Sequence, residues 1–106
     1  KKNNFSSEED FFWHQKHNFL TAFHFVNYFL EDIKKSQGSI IFISSIASLK
    51  DVGAPLSYVY GKLSINFYSK FLANKLARYN VNVNNILPGN IYFTPFILTQ
   101  KLLRIT

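Results

Sequence analysis

Residues Gly38 to Lys62, GSIIFISSIASLKDVGAPLSYVYGK, determine how the rest of the chain is arranged. The stretch opens with the apolar run Ile40-Ile41-Phe42-Ile43, which predicts a short strand (residues 39–44) buried on both faces. A pair of hydroxyl residues, Ser44-Ser45, ends the run, and a loop with turn-forming glycine and proline follows. From Ser57 to about Tyr79 the apolar spacing is helical. The stretch therefore predicts a strand, a loop and a helix, with hydroxyl groups at the carboxyl end of the strand.

Tyr58 and Lys62 lie four residues apart at the start of the predicted helix. This spacing puts the phenol and the ammonium on one helix face. A tyrosine with an ordinary pKa of about 10 is a poor base at neutral pH, and a nearby ammonium favours its phenolate form. With Ser45 at the end of the preceding strand, the three side chains can reach a common site and suggest that chemistry takes place there.

A second long helix is predicted before the strand. Ser6 and Glu9 have the spacing of a capping box and mark its entry. The pattern is helical from Phe11 to about Lys35, with an offset in the periodicity near residues 14–17. Gly38 is suited to the left-handed position that ends such a helix.

A second strand is predicted at Val81–Leu87, between the turn residue Asn80 and the strand-ending Pro88-Gly89. A last short helix is predicted over Thr94–Leu103. A strand-helix-strand order predicts parallel strands, and two parallel strands alone do not make a stable sheet. We therefore predict an α/β fold in which two parallel strands flanked by long helices form part of a doubly wound, Rossmann-like parallel-sheet domain.

Composition excludes several classes of protein. Of the 106 residues, 47% are hydrophobic and 18% aromatic, which is too apolar for a disordered chain. The absence of cysteine excludes a disulfide scaffold and suits a reducing compartment, so we expect a cytoplasmic protein. Methionine is absent even from position 1, and we expect the chain to begin inside a longer reading frame.

Charge and hydropathy argue against nucleic-acid and membrane partners. The net charge is +6, but the twelve basic residues are scattered and form no run that would follow a phosphate backbone. The longest apolar stretch, Phe19–Leu30, contains His24 and Asn27 and is shorter than the roughly 20 residues that span a bilayer.

Three potential metal ligands, Asp10, His14 and His17, fall on one face of the predicted first helix. Histidines at this spacing can bind zinc, but neither a cysteine nor a fourth ligand is evident. We interpret them as solvated or packed side chains and predict no metal site.

Four segments together resemble the short-chain dehydrogenase/reductase family. They are the helix start His17–Phe23 with Asn18, the strand Gly38–Ser45, the Y-x-x-x-K motif Tyr58–Lys62 thirteen positions after Ser45, and the strand Val81–Gly89. Together they cover about residues 5–98. In that family a Gly-rich phosphate loop and the first βαβ units come earlier in the chain than these segments. We therefore expect residues 1–106 to be a partial catalytic domain that alone binds cofactor poorly.

The resemblance implies an enzyme that uses NAD or NADP to interconvert a ketone and a secondary alcohol. Tyr58 would transfer the proton, and Lys62 would favour its phenolate and bind the nicotinamide ribose. Ser45 would hydrogen-bond the substrate oxygen, and Asn18 would hold a water beside Lys62. Pro88, Gly89 and Ile91 would lie against the nicotinamide, and Tyr58 would contact the cofactor as well.

Two questions stay open at this stage. The substrate would be a 3-oxoacyl thioester or a sugar or polyol. The family also builds its dimers and tetramers on the helices that correspond to residues 11–35 and 58–79, so a homodimer or homotetramer is expected. The apolar character of both helices would equally suit a truncated, non-catalytic relative that acts as a dimerisation module.

Overall fold

The computed structural model describes residues 5–89 and has the predicted α/β order. A helical rod comes first and consists of α1 (Glu8–His14), a π-helical segment (Gln15–Leu20) and α2 (Thr21–Ser36). Strand β1 (Ser39–Ile43), helix α3 (Leu56–Leu76) and strand β2 (Asn82–Ile86) follow. Single 3-10 turns lie at Ile46–Ser48 and Ala77–Tyr79. The offset predicted near residues 14–17 is the π-helical segment.

The two strands are parallel, as predicted, and pair in register from Ser39 with Asn82 to Ile43 with Ile86. Each strand is shorter than predicted by one or two residues, and α3 ends at Leu76 because the last predicted turn is 3-10 rather than α-helical. The rod begins at Glu8, within the predicted helix entry at residues 6–10. The helix predicted at 94–103 lies outside the described residues.

The cap of α1 is one residue later than predicted. Ser7 Oγ accepts from the Asp10 N–H at 3.1 Å, and Asp10 Oδ2 accepts from the Ser7 N–H at 3.0 Å. This reciprocal pair is a capping box, so the prediction of Ser6 and Glu9 is wrong. Ser6 has a positive φ of 72°, and its hydroxyl bonds Ser57 instead. A contact distant in sequence therefore displaces the cap.

The end of α2 also differs from the prediction. Gln37, not Gly38, has the left-handed conformation, with φ 55°. The Gly38 N–H then donates to the Ile33 carbonyl at 3.2 Å and completes the helix end. A non-glycine residue in this conformation costs roughly 1–2 kcal/mol, which the hydrogen bonds at the helix end offset. At the corresponding end of α3, Asn80 is left-handed as predicted, with φ 62°.

Strand β1 is buried on one face only. Phe42 is buried and Ile40 packs beside it, whereas Ile41 and Ile43 are 59% and 55% exposed. The prediction of burial on both faces is therefore wrong for residues 5–89. The physical reason is that the helices of the described chain contribute their buried side chains to the Phe42 face of the sheet.

The hydrophobic core lies between this face of the sheet and the two long helices. Its buried members come from α2, β1, α3 and the residue before β2: Val26, Phe42, Ile65, Tyr68, Leu72, Leu76 and Val81. Burying an aliphatic or aromatic side chain stabilises a fold by about 1.5–3 kcal/mol. The core therefore fixes α3 against the sheet. No helix within residues 5–89 is long and apolar enough to cross a bilayer.

Candidate active site

Lys62 extends from the first turns of α3 to the carboxyl end of β1. Its Nζ donates to the Ile43 carbonyl at 3.3 Å and lies 5.8 Å from the centroid of the Tyr58 ring. The core holds α3 against the sheet, and the four-residue spacing directs both side chains to this edge. The structure thus brings the predicted amine and phenol together where the strand ends.

Burial lowers the pKa of Lys62 because the half-buried ammonium loses part of its hydration. An ammonium has three hydrogens to donate, and Ile43 accepts one of them. The others can reach further acceptors at the strand edge.

The two serines after β1 have different environments. Ser44 is buried, and its Oγ donates to the Lys62 carbonyl at 3.4 Å, which joins β1 to α3. Ser45 is half-buried, and its Oγ accepts from the Ala47 N–H at 3.1 Å. Because Ser45 uses an oxygen lone pair in this contact, its hydroxyl hydrogen remains available to donate. Of the pair, Ser45 is the one suited to bind a substrate oxygen.

A chain of side-chain hydrogen bonds holds the segment that carries Ser45. Ser48 Oγ donates to the Ser45 carbonyl at 2.7 Å and accepts from Asn66 Nδ2 at 2.8 Å. Asn66 Oδ1 in turn accepts from Asn85 Nδ2 of β2 at 2.8 Å. Sequence reasoning missed this network. The available signal was that Asn66 lies one turn beyond Lys62 on the same face of α3.

Pro88 and Gly89, predicted to contact a nicotinamide, lie beside the serine segment. The Ile46 N–H donates to the Pro88 carbonyl at 3.0 Å, and a Cβ built on Gly89 would lie 3.9 Å from Ile46 Cγ2. The segments that follow the two strands are therefore joined at the carboxyl edge of the sheet, the position of the ligand crevice in open α/β sheets. Ile91, the third residue of this prediction, lies outside the described residues.

Asn18 packs against α3 at Gly61. Its Nδ2 lies 3.0 Å from His14 Nδ1, and a Cβ built on Gly61 would come within 3.3 Å of it. Asn18 is thus placed at the residue that precedes Lys62. Its predicted role, holding a water beside Lys62, stays a prediction.

His14 is a half-buried neighbour of the site that the sequence interpretation left without a role. Its ring meets the Tyr58 ring edge-on, with 5.8 Å between the centroids. The histidine is therefore packed, and it contacts two of the four predicted catalytic side chains, Asn18 and Tyr58.

The sequence profile of the family described as short chain dehydrogenase matches residues 2–101. This chain belongs to that family. Among curated relatives of this short chain dehydrogenase, L-fucose dehydrogenase of Rattus norvegicus is 39% identical over 75 residues, and that of Mus musculus is 36% identical over the same length. Each match covers 71% of this chain and 28% of the relative, so the chain spans under a third of the curated relatives it matches.

Solved structures show the same fold. NAD+-bound xylitol dehydrogenase superposes with a TM-score of 0.76 at 25% identity, covering 91% of this chain and 39% of that one. ElxO with NADP bound superposes with a TM-score of 0.76 at 26% identity, covering 82% and 36%. The described strands and helices of this short chain dehydrogenase are thus arranged as in larger Rossmann-like enzymes, which confirms the predicted fold class.

Proposed function

We propose that this chain is the part of an enzyme that carries its catalytic side chains. The enzyme interconverts a ketone and a secondary alcohol of a sugar or polyol with NAD or NADP. The observation that carries the proposal is the position of Lys62 Nζ, 3.3 Å from the Ile43 carbonyl and 5.8 Å from the Tyr58 ring centroid. The amine and the phenol therefore lie at the carboxyl end of β1, two residues before Ser45. The names of the relatives, L-fucose dehydrogenase and xylitol dehydrogenase, favour a sugar or polyol over a 3-oxoacyl thioester.

Tyr58 is the proposed proton-transfer group. During oxidation its phenolate accepts the hydroxyl proton of the alcohol, and during reduction its phenol returns a proton to the carbonyl oxygen. Lys62 makes this possible near neutral pH because its positive charge favours the phenolate.

Ser45 is proposed to orient the substrate oxygen. Its hydroxyl hydrogen is available because the Oγ lone pair, and not the hydrogen, is engaged by Ala47. A hydrogen bond from Ser45 stabilises the negative charge that develops on the substrate oxygen. The chain Ser48, Asn66 and Asn85 holds the Ser45 segment in place.

The residues at the strand edge suit a nicotinamide cofactor. Lys62 retains hydrogens to donate to ribose hydroxyls, and Gly89 has no side chain to obstruct a flat ring beside Pro88. When bound, the cofactor supplies or accepts the hydride. Tyr58, Lys62, Pro88, Gly89 and Ile91 are the residues proposed to hold it, and Asn18 is proposed to support Lys62 through a water.

Turnover of L-fucose and xylitol with NAD+ and NADP+ by the complete gene product tests this function. Tyr58→Phe should lower turnover about 10²–10⁴-fold, the usual contribution of a general acid–base. Tyr60→Phe is the matched control, because Tyr60 lies two residues away, is exposed and packs its ring against Phe11. Equal activity of the two variants would rule out Tyr58 as the proton-transfer group.

A second candidate function is self-association, favoured by an apolar surface on α1 and α3. We define the outer aromatic surface by its exposed members: Phe12, Trp13, Tyr60, Leu63, Phe67 and Phe71. Phe67 is 70% exposed at its centre. The α3 members share one helix face by their spacing, and exposed apolar side chains on one face favour an interaction site. A second copy of the chain is the proposed partner, as a homodimer or homotetramer.

Sedimentation velocity tests the association. Phe67→Asp should shift the protein from dimer or tetramer toward monomer, since a carboxylate would be buried in the interface. Val52→Asp is the control, because Val52 is 52% exposed but lies in the loop before α3, outside both helices of the predicted interface. A dimer that binds no cofactor by nicotinamide fluorescence would favour the dimerisation module over the enzyme.

A further inference from the structure

His14 connects two side chains of the proposed site. Its Nδ1 lies 3.0 Å from Asn18 Nδ2, and its ring meets the Tyr58 ring edge-on at 5.8 Å. Both contacts place an imidazole, which can donate or accept hydrogen bonds, directly beside Tyr58, the proposed proton-transfer group, and Asn18.

The hydrogen bond to Asn18 depends on the protonation of His14. An amide nitrogen can only donate, so the contact needs an unprotonated Nδ1 that accepts. Imidazolium carries hydrogens on both nitrogens, so Nδ1 would then face the amide donor with a donor of its own. Asn18 must either release His14 or rotate its amide to present the oxygen.

The space around this pair leaves little freedom for adjustment. A Cβ on Gly61 would lie 3.3 Å from Asn18 Nδ2, 3.4 Å from Asn18 Cβ and 3.5 Å from His14 Cβ. The backbone of α3 therefore packs tightly on both side chains between Tyr58 and Lys62. Asn18 and His14 therefore approach the turn of α3 that carries the proposed catalytic residues, at a position where a larger side chain would crowd them.

The charged surroundings of His14 come from two elements. The group of α3 that packs against His14 is Tyr58, whose ring centroid lies 5.8 Å from Lys62 Nζ. On the helical rod, Asp10 lies one turn before His14, and the Trp13 ring packs against both His14 and His17. A positive charge on His14 would therefore lie next to Tyr58. Protonation of His14 thus changes both the hydrogen bonding of Asn18 and the charge next to Tyr58.

We infer that His14 is a positioning residue whose neutral form holds Asn18 in its working orientation, so that protonation of His14 lowers turnover. The inference rests on the proposed function and adds a pH dependence to it. It requires no ligand beyond the proposed substrate and cofactor.

The first test compares pH profiles of kcat and kcat/KM for the complete gene product and its His14 variants. The wild-type enzyme should lose turnover as pH falls through the range in which imidazoles titrate. His14→Gln keeps an amide that can pair with Asn18 but cannot be protonated there. It should be about threefold slower at mildly alkaline pH and lack this acid limb, while His14→Leu, with no hydrogen bond, should be about tenfold slower throughout.

His17→Gln is the matched control for this test, because the exposed His17 ring packs against Trp13, and within residues 5–89 the Asn18 amide pairs with His14 instead. It should keep the acid limb of the wild type. An acid limb that survives in His14→Gln, or disappears in His17→Gln, overturns the inference.

A second measurement does not depend on turnover. In protein labelled with ¹⁵N-histidine, Nδ1 of His14 should have the chemical shift of an unprotonated, hydrogen-bonded nitrogen at neutral pH, and Asn18→Ala should shift this signal. Asn66→Ala, an asparagine on the other face of α3, should leave it unchanged. An unchanged Nδ1 signal in Asn18→Ala overturns the inference. If L-fucose and xylitol are not turned over while the signal moves, only the proposed function fails.

Discussion

The two halves of α3 are held in different ways. The first half, residues 56–64, meets the start of the rod through polar contacts, including Ser57 with Ser6 and Ser64 with Gln15 at 3.2 Å. The second half, residues 65–76, meets α2 and the sheet through the apolar core. Tyr58 and Lys62 lie in the first half, whereas Asn66, which supports the Ser45 segment through Ser48, lies at the start of the second half.

The two kinds of contact have different effects: one positions the side chains of the site, and the other stabilises the fold. A hydrogen bond has a net contribution of about 0.5–1.5 kcal/mol but requires a defined direction, whereas a buried aliphatic side chain contributes more and accepts many orientations. The polar half can therefore set the positions of Tyr58 and Lys62 while the apolar half supplies most of the stability. Substitutions in the two halves should have different consequences.

The largest effect is expected from Lys62→Met in the polar half. Turnover should fall about 10²–10⁴-fold, because the phenolate of Tyr58 loses its cation. Burial lowers the pKa of Lys62, so the charged form destabilises the fold below that pKa, and this penalty disappears as pH rises toward the unfolded pKa. Urea unfolding at neutral pH should therefore show little or no loss of stability. Lys70→Met, exposed on the same helix, should change neither quantity.

Leu72→Ala tests the apolar half. Leu72 is buried in the core, and its truncation should lower the free energy of unfolding by about 2–5 kcal/mol, measured by urea denaturation. Leu63→Ala, on the partly exposed face of the other half, should lower it by less than about 1 kcal/mol. Similar losses for both leucines would contradict the division of α3 into two halves.

Ser6→Ala tests how the polar half is held at its first residue. Ser57 is only 1% exposed; its N–H donates to Ser6 Oγ at 3.0 Å, and its Oγ accepts from Ser6 at 2.9 Å. Loss of this cap should lower the free energy of unfolding by about 0.5–2 kcal/mol and also reduce turnover, since Tyr58 is the next residue. Ser6→Gly removes the same hydroxyl but suits the positive φ, so it should be less destabilising than Ser6→Ala while reducing turnover equally.

The smallest effect concerns Tyr68 at high pH. Burial raises the pKa of this phenol. In the unfolded chain Tyr68 loses its proton near a pH of about 10, whereas in the folded state it stays neutral to higher pH, so the fold loses stability as pH rises through this window. Tyr68→Phe should reduce this alkaline loss in a urea titration series. An unaltered pH dependence would show that the Tyr68 phenol ionises alike in both states.

The order of the elements and their parallel pairing were predictable because both depend on local apolar periodicity. The pairing of Tyr58 with Lys62 was predictable for the same reason, since their spacing is a property of one helix. The offset near residues 14–17 was visible as an interruption of that periodicity and corresponds to the π-helical segment.

The remaining features depend on contacts between residues distant in sequence. The cap moved to Ser7 because Ser6 bonds Ser57, which lies 51 positions away. The roles of His14 and Asn66 likewise required knowing which helix faces meet, because neither residue belongs to a recognisable motif. The exposed face of β1 could not be predicted from the sequence. An unbroken apolar run looks the same whether one face of the strand or both faces are covered by other elements.

The π-helical segment changes the direction in which side chains point along the helical rod. A regular helix turns about 100° per residue, so the extra residue of a π turn rotates everything before it relative to everything after it. α1 consequently directs Phe11 and His14 at the start of α3, while α2 directs Val26 into the core. Removing a single residue from this segment would leave a straighter helix and an intact core, yet would swing the aromatic neighbours of Tyr58 out of contact.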